Sequence, residues 1–371
     1  MRTLLFTLEY PPFHGGVANY YGHLIKYWPE PDNIFVLHNN DGRLINNNLP
    51  FLKWLPAHFT LREKIKQEKI EHILVGQILP LGTVALICAK FCKIKYSIFL
   101  HGMDLSYALK RPRKKWLAEK ILKKSEKIIC VNSHVAKIAQ QAWPDINQKI
   151  TVVNPGVENL ASRSPRWSFG EAGNSQLATQ MRDKYNLHDK IILLSVGRLV
   201  KRKGFDMVIK ALPKVLKKVP HLVYVIIGDG PEIGNWKLEI GNLGLEKHAR
   251  IINQAADAER DDWYDLCDIF IMTSRNINGD FEGFGIVYLE ANLAGKPVIA
   301  GRSGGVEDAV IDGLNGLLVD QEDTEKIASA VIKLALDSKL RQRLGQQGRE
   351  RALKEFNWKK QILKIQNFIN N

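Results

Sequence analysis

The chain has 371 residues, a net charge of +14, 45% hydrophobic residues and four cysteines. That is enough apolar material for two domain cores, and no apolar run reaches the roughly 20 residues needed to span a bilayer. Cys88, Cys92, Cys130 and Cys267 have no CxxC spacing, so they read as buried free thiols and not as a disulfide or metal framework.

The opening segment MRTLLFTLEYPP has a short apolar stretch interrupted by Glu9 and no small-residue cleavage site, so it reads as a strand and a cytoplasmic protein is expected. Short β-rich runs then recur with helical segments between them: Thr3–Leu8, Ile34–Leu37, Ile73–Val75, Tyr96–Leu100, Ile128–Val131 and Ile150–Val153. This is the pattern of a parallel sheet with crossover helices. After the first run, Gly15 and Gly16 precede a helix without G-x-G-x-x-G spacing, which disfavours a dinucleotide site. The pair suits either a plain turn or a loop whose backbone approaches phosphate or sugar. The fourth run ends in His101, Gly102 and Asp104, at the strand edge where open sheets bind ligands. His101 is either structural or functional there, with Asp104 placed to orient it.

Most of the net positive charge lies in residues 1–150, and its densest part is Leu109–Lys127, where nine basic residues surround Trp116, Leu117, Ile121 and Leu122 at helical spacing. Such a helix either packs its apolar stripe on the domain or lies on an anionic membrane surface. Without a recognised module or aromatic stacking platform, nucleic acid is not an expected partner.

Residues 156–186 are rich in Pro, Gly, Ser and Asn and read as an interdomain linker running into a mobile loop. The strand pattern then restarts with Ile191–Val196, Leu222–Ile227, Ile251–Asn253, Ile269–Thr273, Pro297–Ala300 and Gly316–Val319. The expected fold is therefore α/β, with two doubly wound Rossmann-like domains, residues 1–155 and 187–350, facing a cleft. Residues 351–371 form a terminal helix that packs back on the first domain, with Trp358 and Phe368 as anchors.

In the second domain, Arg198 and Lys203 lie between a buried strand and a glycine that opens a helix, which suits neutralisation of a departing diphosphate. Lys201 and Arg202 beside them read as solvated. Gly228 and Gly230 permit a tight turn close to a ligand. The segment FEGFGIVYLEANLAGKPVIAGRSGG sets Glu282 and Glu290 around a glycine-bracketed helix start. If Gly283–Ile286 form the first turn, the two carboxylates lie about 10 Å apart with the positive helix end between them. That layout fits a nucleotide sugar, clamped at both ends with phosphate at the helix start. No carboxylate arrangement points to a metal.

Taken in order, these motifs resemble the retaining GT-B glycosyltransferases of family 4 over essentially the whole chain. EGFGIVYLEA, GKPVIAGRSGG and GRLVKRKG are most similar to phosphatidylinositol mannoside mannosyltransferases and related enzymes of envelope polysaccharide synthesis. The resemblance implies that residues 1–155 are the acceptor side, that Arg198 and Lys203 bind the leaving diphosphate, and that Glu282 holds donor-sugar hydroxyls. It implies that Phe284, Gly285 and Ile286 offer backbone amides, that Glu290 binds ribose, and that Gly230 lines the donor site. His101 would lie near the reacting sugar, and Gly15 and Gly16 would contact diphosphate or admit the acceptor. No metal or other cofactor is implied, and the partners are a nucleotide sugar and a lipid-linked or glycan acceptor, with the protein peripheral on the inner face of the plasma membrane. GDP-mannose is the preferred donor, with UDP-glucose or UDP-N-acetylglucosamine as alternatives. A nucleotide-sugar 2-epimerase shares the architecture but needs a further acid and base; a non-enzymatic binding module is opposed by the intact set of charged residues.

Overall fold

The computed structural model describes residues 1–13, 15–48, 52–158, 175–253 and 255–371. The chain divides into two compact units, Met1–Gly156 with Trp358–Asn371, and Val157–Asn357. Most of the 156–186 linker lies outside the described residues, but Ser175–Tyr185 is helical.

The first unit is a six-stranded parallel sheet, β1 (Thr3–Phe6), β2 (Ile34–Leu37), β3 (His72–Val75), β4 (Lys95–Leu100), β5 (Ile128–Cys130) and β6 (Ile150–Val152), in the order β2-β1-β3-β4-β5-β6. β1 and β3 are buried at every residue, as expected of strands covered on both faces by crossover helices. The chain runs from β1 to β2 on one side and returns to β3 on the other, so the strand order reverses between β1 and β3. Segments leaving the carboxyl ends of strands at such a reversal border an open crevice. Here they carry Gly15, Gly16 and Gly76, with His101 following the adjacent β4.

The terminal helix Trp358–Asn370 closes this core. Trp358, Ile362, Ile365 and Ile369 recur at helical spacing and are buried with Tyr20, Tyr21, Leu24, Phe99 and Val153. Each contributes about 1.5–3 kcal/mol by leaving water. The division falls at Asn357/Trp358, seven residues beyond the boundary expected from sequence, because the preceding helix Ser338–Glu355 packs in the second unit, where Leu344 and Ala352 join its core. Phe368 is a lesser anchor, partly buried with the Lys127 ammonium 4.7 Å above its ring.

The basic segment of this unit forms helices Met103–Leu109 and Pro112–Lys124. Ala118, Ile121 and Leu122 face inward, so part of the predicted apolar stripe is core. Trp116 and Tyr107 remain 55% and 52% exposed, each under a lysine: Lys120 Nζ lies 3.7 Å from the Trp116 ring and Lys114 Nζ 3.2 Å from that of Tyr107. Among the described residues no helix is long and apolar enough to cross a membrane.

The second unit repeats the plan: β7 (Ile191–Val196), β8 (Leu222–Ile227), β9 (Ala249–Ile252), β10 (Ile269–Met272), β11 (Val298–Gly301) and β12 (Gly316–Val319), all parallel, in the order β12-β11-β10-β7-β8-β9. Its strand order reverses between β7 and β10. The loop after β7 carries Arg198 and Lys203; the loop after β10 carries Glu282. Residues 79 positions apart are thus neighbours by topology alone.

Candidate active site

Two backbone ties lock these loops together in the second unit. Gly204 sits at φ +73°, and a Cβ there would lie 2.0 Å from the Thr273 carbonyl oxygen, so only glycine lets the helix Phe205–Leu216 start against the end of β10. Thr273 Oγ1 donates to the Gly204 carbonyl at 2.7 Å, and the Arg275 amide donates to the Arg202 carbonyl at 2.8 Å. The Arg275 guanidinium also grips both carboxylate oxygens of Asp206, in the first turn of that helix, at 3.1 and 2.9 Å.

This frame presents Lys203 to Glu282. Glu282 is buried, and three donors converge on its Oε2: Lys203 Nζ at 2.6 Å, an Arg202 guanidinium nitrogen at 2.9 Å and Ser274 Oγ at 3.1 Å. Burial by itself raises the Glu282 pKa, but the Lys203 ammonium, the Arg202 guanidinium and the Ser274 hydroxyl outweigh it and hold the carboxyl at about 2. Glu282 is therefore an ionised hydrogen-bond acceptor at neutral pH and not a general acid. Oε1 has no hydrogen-bond donor among the described residues.

Arg202 is the main departure from the sequence reading. Expected to be solvated, it is 20% exposed and bridges Glu282 to Asp280, with Nε 3.1 Å from Asp280 Oδ1. Three consecutive basic residues, Lys201 to Lys203, give no sequence signal of which ones turn inward; the short 3-10 turn they form decides it. Arg198, by contrast, is exposed, and its side chain has no ion-pair partner among the described residues.

The helix after Glu282 spans Ile286–Leu293, with Gly285 as its N-cap at φ +79°. The expected first turn at Gly283–Ile286 is thus displaced: a Cβ on Gly285 would meet the Tyr288 ring at 2.4 Å, and the helix starts once that turn is passed. Gly285 and Ile286 lie at the positive helix end. Phe284 is a core residue with its ring 5.6 Å from that of Phe356, so only its backbone is placed for a ligand. Glu290 lies in the second turn, about 7.5 Å along the axis from Gly285. It is buried, and Tyr264 Oη donates to its Oε2 at 2.9 Å, a partner that sequence reading missed. Burial, and then the Glu290 charge, push the Tyr264 phenol well above its ordinary range. Gly230 leaves β8 where a Cβ would lie 2.4 Å from the Leu199 carbonyl oxygen, so it lets the loop after β8 touch the loop after β7. In this way the second unit brings Lys203 and Glu282 together directly, with Gly285 and Ile286 three and four residues on, and Arg202, Ser274 and Tyr264 added.

In the first unit, Gly15 is the N-cap of helix Gly16–Lys26 with extended backbone, φ 175°. Among the described residues, a Cβ on Gly16 would meet nothing within 4 Å, and one on Gly15 would make only ordinary contacts. His101 is partly buried among Tyr20, Tyr21 and Phe99, with centroid distances of 5.6, 5.3 and 6.2 Å. Asp104 does not orient its ring, as the spacing had suggested; Asp104 Oδ1 accepts from the backbone amides of His101 and Gly102 at 3.1 and 3.0 Å. The ring partner is Tyr21 Oη, 2.7 Å from Nε2. Burial pushes the His101 pKa down to about 4 and the Asp104 pKa up to about 6.

Comparison with known proteins identifies the family and the fold. Residues 178–351 match the family model described as "Glycosyl transferases group 1", and residues 14–159 match "Glycosyltransferase Family 4". The chain is 27% identical to the GDP-mannose-dependent alpha-(1-6)-phosphatidylinositol monomannoside mannosyltransferase of Mycolicibacterium smegmatis, with 96% of this chain and 95% of that protein covered. Among solved structures, Anabaena HepE in complex with UDP is similar with a TM-score of 0.81 at 19% identity, covering 100% of both chains. Sucrose-phosphate synthase from Thermosynechococcus elongatus has a TM-score of 0.76 at 18% identity, covering 100% of this chain and 98% of that one. Both share the GT-B fold with this chain.

Proposed function

The chain belongs to the family 4, group 1 glycosyltransferases and is an enzyme of that kind; from that premise we propose that it moves a hexose, mannose from GDP-mannose first among the donors, to a lipid-linked or envelope polysaccharide acceptor. The observation that carries this reading is the convergence of Lys203, Arg202 and Ser274 on one oxygen of Glu282 just before a helix N-terminus. Anchoring Oε2 leaves Oε1 to accept from donor-sugar hydroxyls. Lys203, with Arg198, neutralises the diphosphate as it departs, and the amides at Phe284, Gly285 and Ile286 add the positive helix end. Glu290, beside Tyr264, takes the ribose hydroxyls, and Gly230, Gly15 and Gly16 let backbone approach the diphosphate or admit the acceptor.

Held at about 2 by its cations, Glu282 is as poor an acceptor of the attacking hydroxyl's proton as it is a donor, and the resemblance to retaining family 4 enzymes implies that this proton goes to the departing phosphate oxygen. The new glycosidic bond then forms on the face from which the sugar–phosphate bond breaks, and the anomeric configuration is kept. The fixed cations fill the role that a metal would otherwise serve, so no metal cofactor is required. The name of the mycobacterial relative supports GDP-mannose as donor, while the UDP complex of HepE supports UDP-glucose or UDP-N-acetylglucosamine as the second reading. The exposed Trp116 and Tyr107, each under a lysine in the basic segment of the first unit, support attachment to the anionic inner face of the plasma membrane.

A panel of nucleotide sugars tests the donor. GDP-mannose should give the largest thermal stabilisation and a slow, acceptor-free hydrolysis. Stabilisation by UDP-sugars alone would transfer the assignment to them, and no response to any nucleotide sugar would overturn the reading.

A further inference from the structure

The first unit holds a hydrogen-bond chain that fixes which nitrogen of His101 carries its proton. Tyr21 Oη lies 2.8 Å from the Gly76 carbonyl oxygen and 2.7 Å from His101 Nε2. A carbonyl oxygen only accepts, and a phenol has one proton to give. If Tyr21 gave that proton to His101, two oxygen lone pairs would face each other at 2.8 Å in a site where Tyr21 is fully buried. Both contacts are satisfied in only one way: Tyr21 donates to Gly76, and His101 Nε2–H donates to Tyr21. The phenol keeps its proton, because burial, and then the charge of Asp104, push its pKa well above the ordinary range. The imidazole is neutral near pH 7, since burial among Tyr20, Tyr21 and Phe99 lowers its pKa to about 4. In a neutral ring with Nε2 protonated, Nδ1 is a bare lone pair. No described residue donates to Nδ1, and His101 is only partly buried.

We propose that Tyr21 is a positioning residue that locks His101 in the Nε2–H tautomer, so that Nδ1 accepts a hydrogen bond from a substrate hydroxyl. This rests on the reading of the protein as a sugar-transferring enzyme. It also narrows the role of His101: a neutral ring with its only N–H committed to Tyr21 cannot donate to a phosphate, so His101 reads a hydroxyl and leaves the diphosphate to the second unit. The lock arises from the topology, because Tyr21 lies on the helix after β1, Gly76 follows β3 and His101 follows β4, three adjacent strands.

Imidazole 15N–1H correlation spectra of the ligand-free protein at neutral pH test the lock without any substrate. The signal is assigned among the ten histidines by its loss in His101→Phe. The expected spectrum shows a protonated Nε2 and an unprotonated Nδ1; a protonated Nδ1 in the wild type overturns the proposal whether or not any variant folds. In Tyr21→Phe the ring should populate both tautomers, and an unchanged spectrum would remove Tyr21 from the role. Turnover of the donor that the panel identifies should fall about three- to tenfold in Tyr21→Phe, the effect of one neutral hydrogen bond. In the His101→Phe background the same change should cost nothing more, and an equal further loss shows that Tyr21 does not act through His101. Failure of the donor panel leaves the spectral result standing, so the two failures are distinguishable.

Discussion

Gly204 and Gly285 in the second unit and Gly16 in the first stand in opposite surroundings, and the polar groups beside them differ in the same sense. In the second unit, Gly204 and Gly285 are demanded by the protein's own contacts, and Glu282 is paired through one oxygen with Lys203 and Arg202 before any ligand arrives. In the first, among the described residues, nothing fills the space where a Cβ on Gly16 would go, and one ring nitrogen of His101 has no donor. The second unit is electrostatically prebuilt, which suits a constant task such as holding a nucleotide diphosphate. The first leaves its contacts to be completed by the ligand, which suits an acceptor that differs from one relative to the next.

The severest test of the prebuilt side is Glu282→Ala, which strands the Lys203 ammonium without its counter-charge and leaves Arg202 only Asp280. We expect turnover to fall by about 1,000-fold or more, with a lowered unfolding midpoint, since stranding a partly buried ion costs about 3–5 kcal/mol. Lys203→Ala should cost about 100-fold in kcat with a smaller change in KM, because the diphosphate that Lys203 is proposed to neutralise gains charge in the transition state. Wild-type turnover after either change would dissolve the contrast.

Gly285→Ala and Gly16→Ala compare the units directly. The first places a Cβ at φ +79° and 2.4 Å from Tyr288, and should lose about 1–3 kcal/mol of stability by denaturant unfolding. The second meets nothing and should unfold like the wild type, any loss appearing in kcat/KM. Equal destabilisation of both would end the distinction.

Arg202→Met addresses pH. Glu282 has a folded pKa near 2, below the ordinary 4.5, so the stability it confers is present above about pH 4.5 and is lost as pH falls toward 2. Without Arg202 the folded pKa rises, that window narrows, and the acid limb of the activity profile should move to higher pH. An unmoved limb would mean that Lys203 alone sets the Glu282 charge. A last effect concerns binding to a membrane and neither turnover nor stability. Replacing Lys114, Lys115 and Lys120 by Ala should weaken binding to phosphatidylserine vesicles by about 1 kcal/mol per lysine and reduce its salt dependence; equal binding of the wild type to neutral vesicles would count against attachment through charge. Lys123 is the poorer choice, because Glu119 and Asp145 already hold it at 2.8 Å each.

How far the sequence could be read follows the same physics. Alternating β-rich and helical segments announced two parallel sheets, Lys203 stood out between a buried strand and a helix-opening glycine, and Glu282 stood out beside a glycine-bracketed helix start. Arg202 did not, since one basic residue in a run of three looks like the next until the turn is formed. Tyr21 was hidden for another reason. Its meaning depends on β1, β3 and β4 lying side by side, a fact of strand order that no local pattern contains. Asp104 was misread because spacing shows proximity but not whether a carboxylate meets a ring or a backbone amide.

One consequence of the terminal helix concerns synthesis. Nascent domains generally fold in the order in which they emerge, yet here the first unit lacks Trp358, Ile362, Ile365 and Ile369 until the last residues are made. A fragment ending at Gly156 would therefore expose the apolar surface around Tyr20, Leu24 and Val153 to water. The unit that begins the chain is the second to be finished, and until then the growing protein carries one completed core and one waiting for its lid.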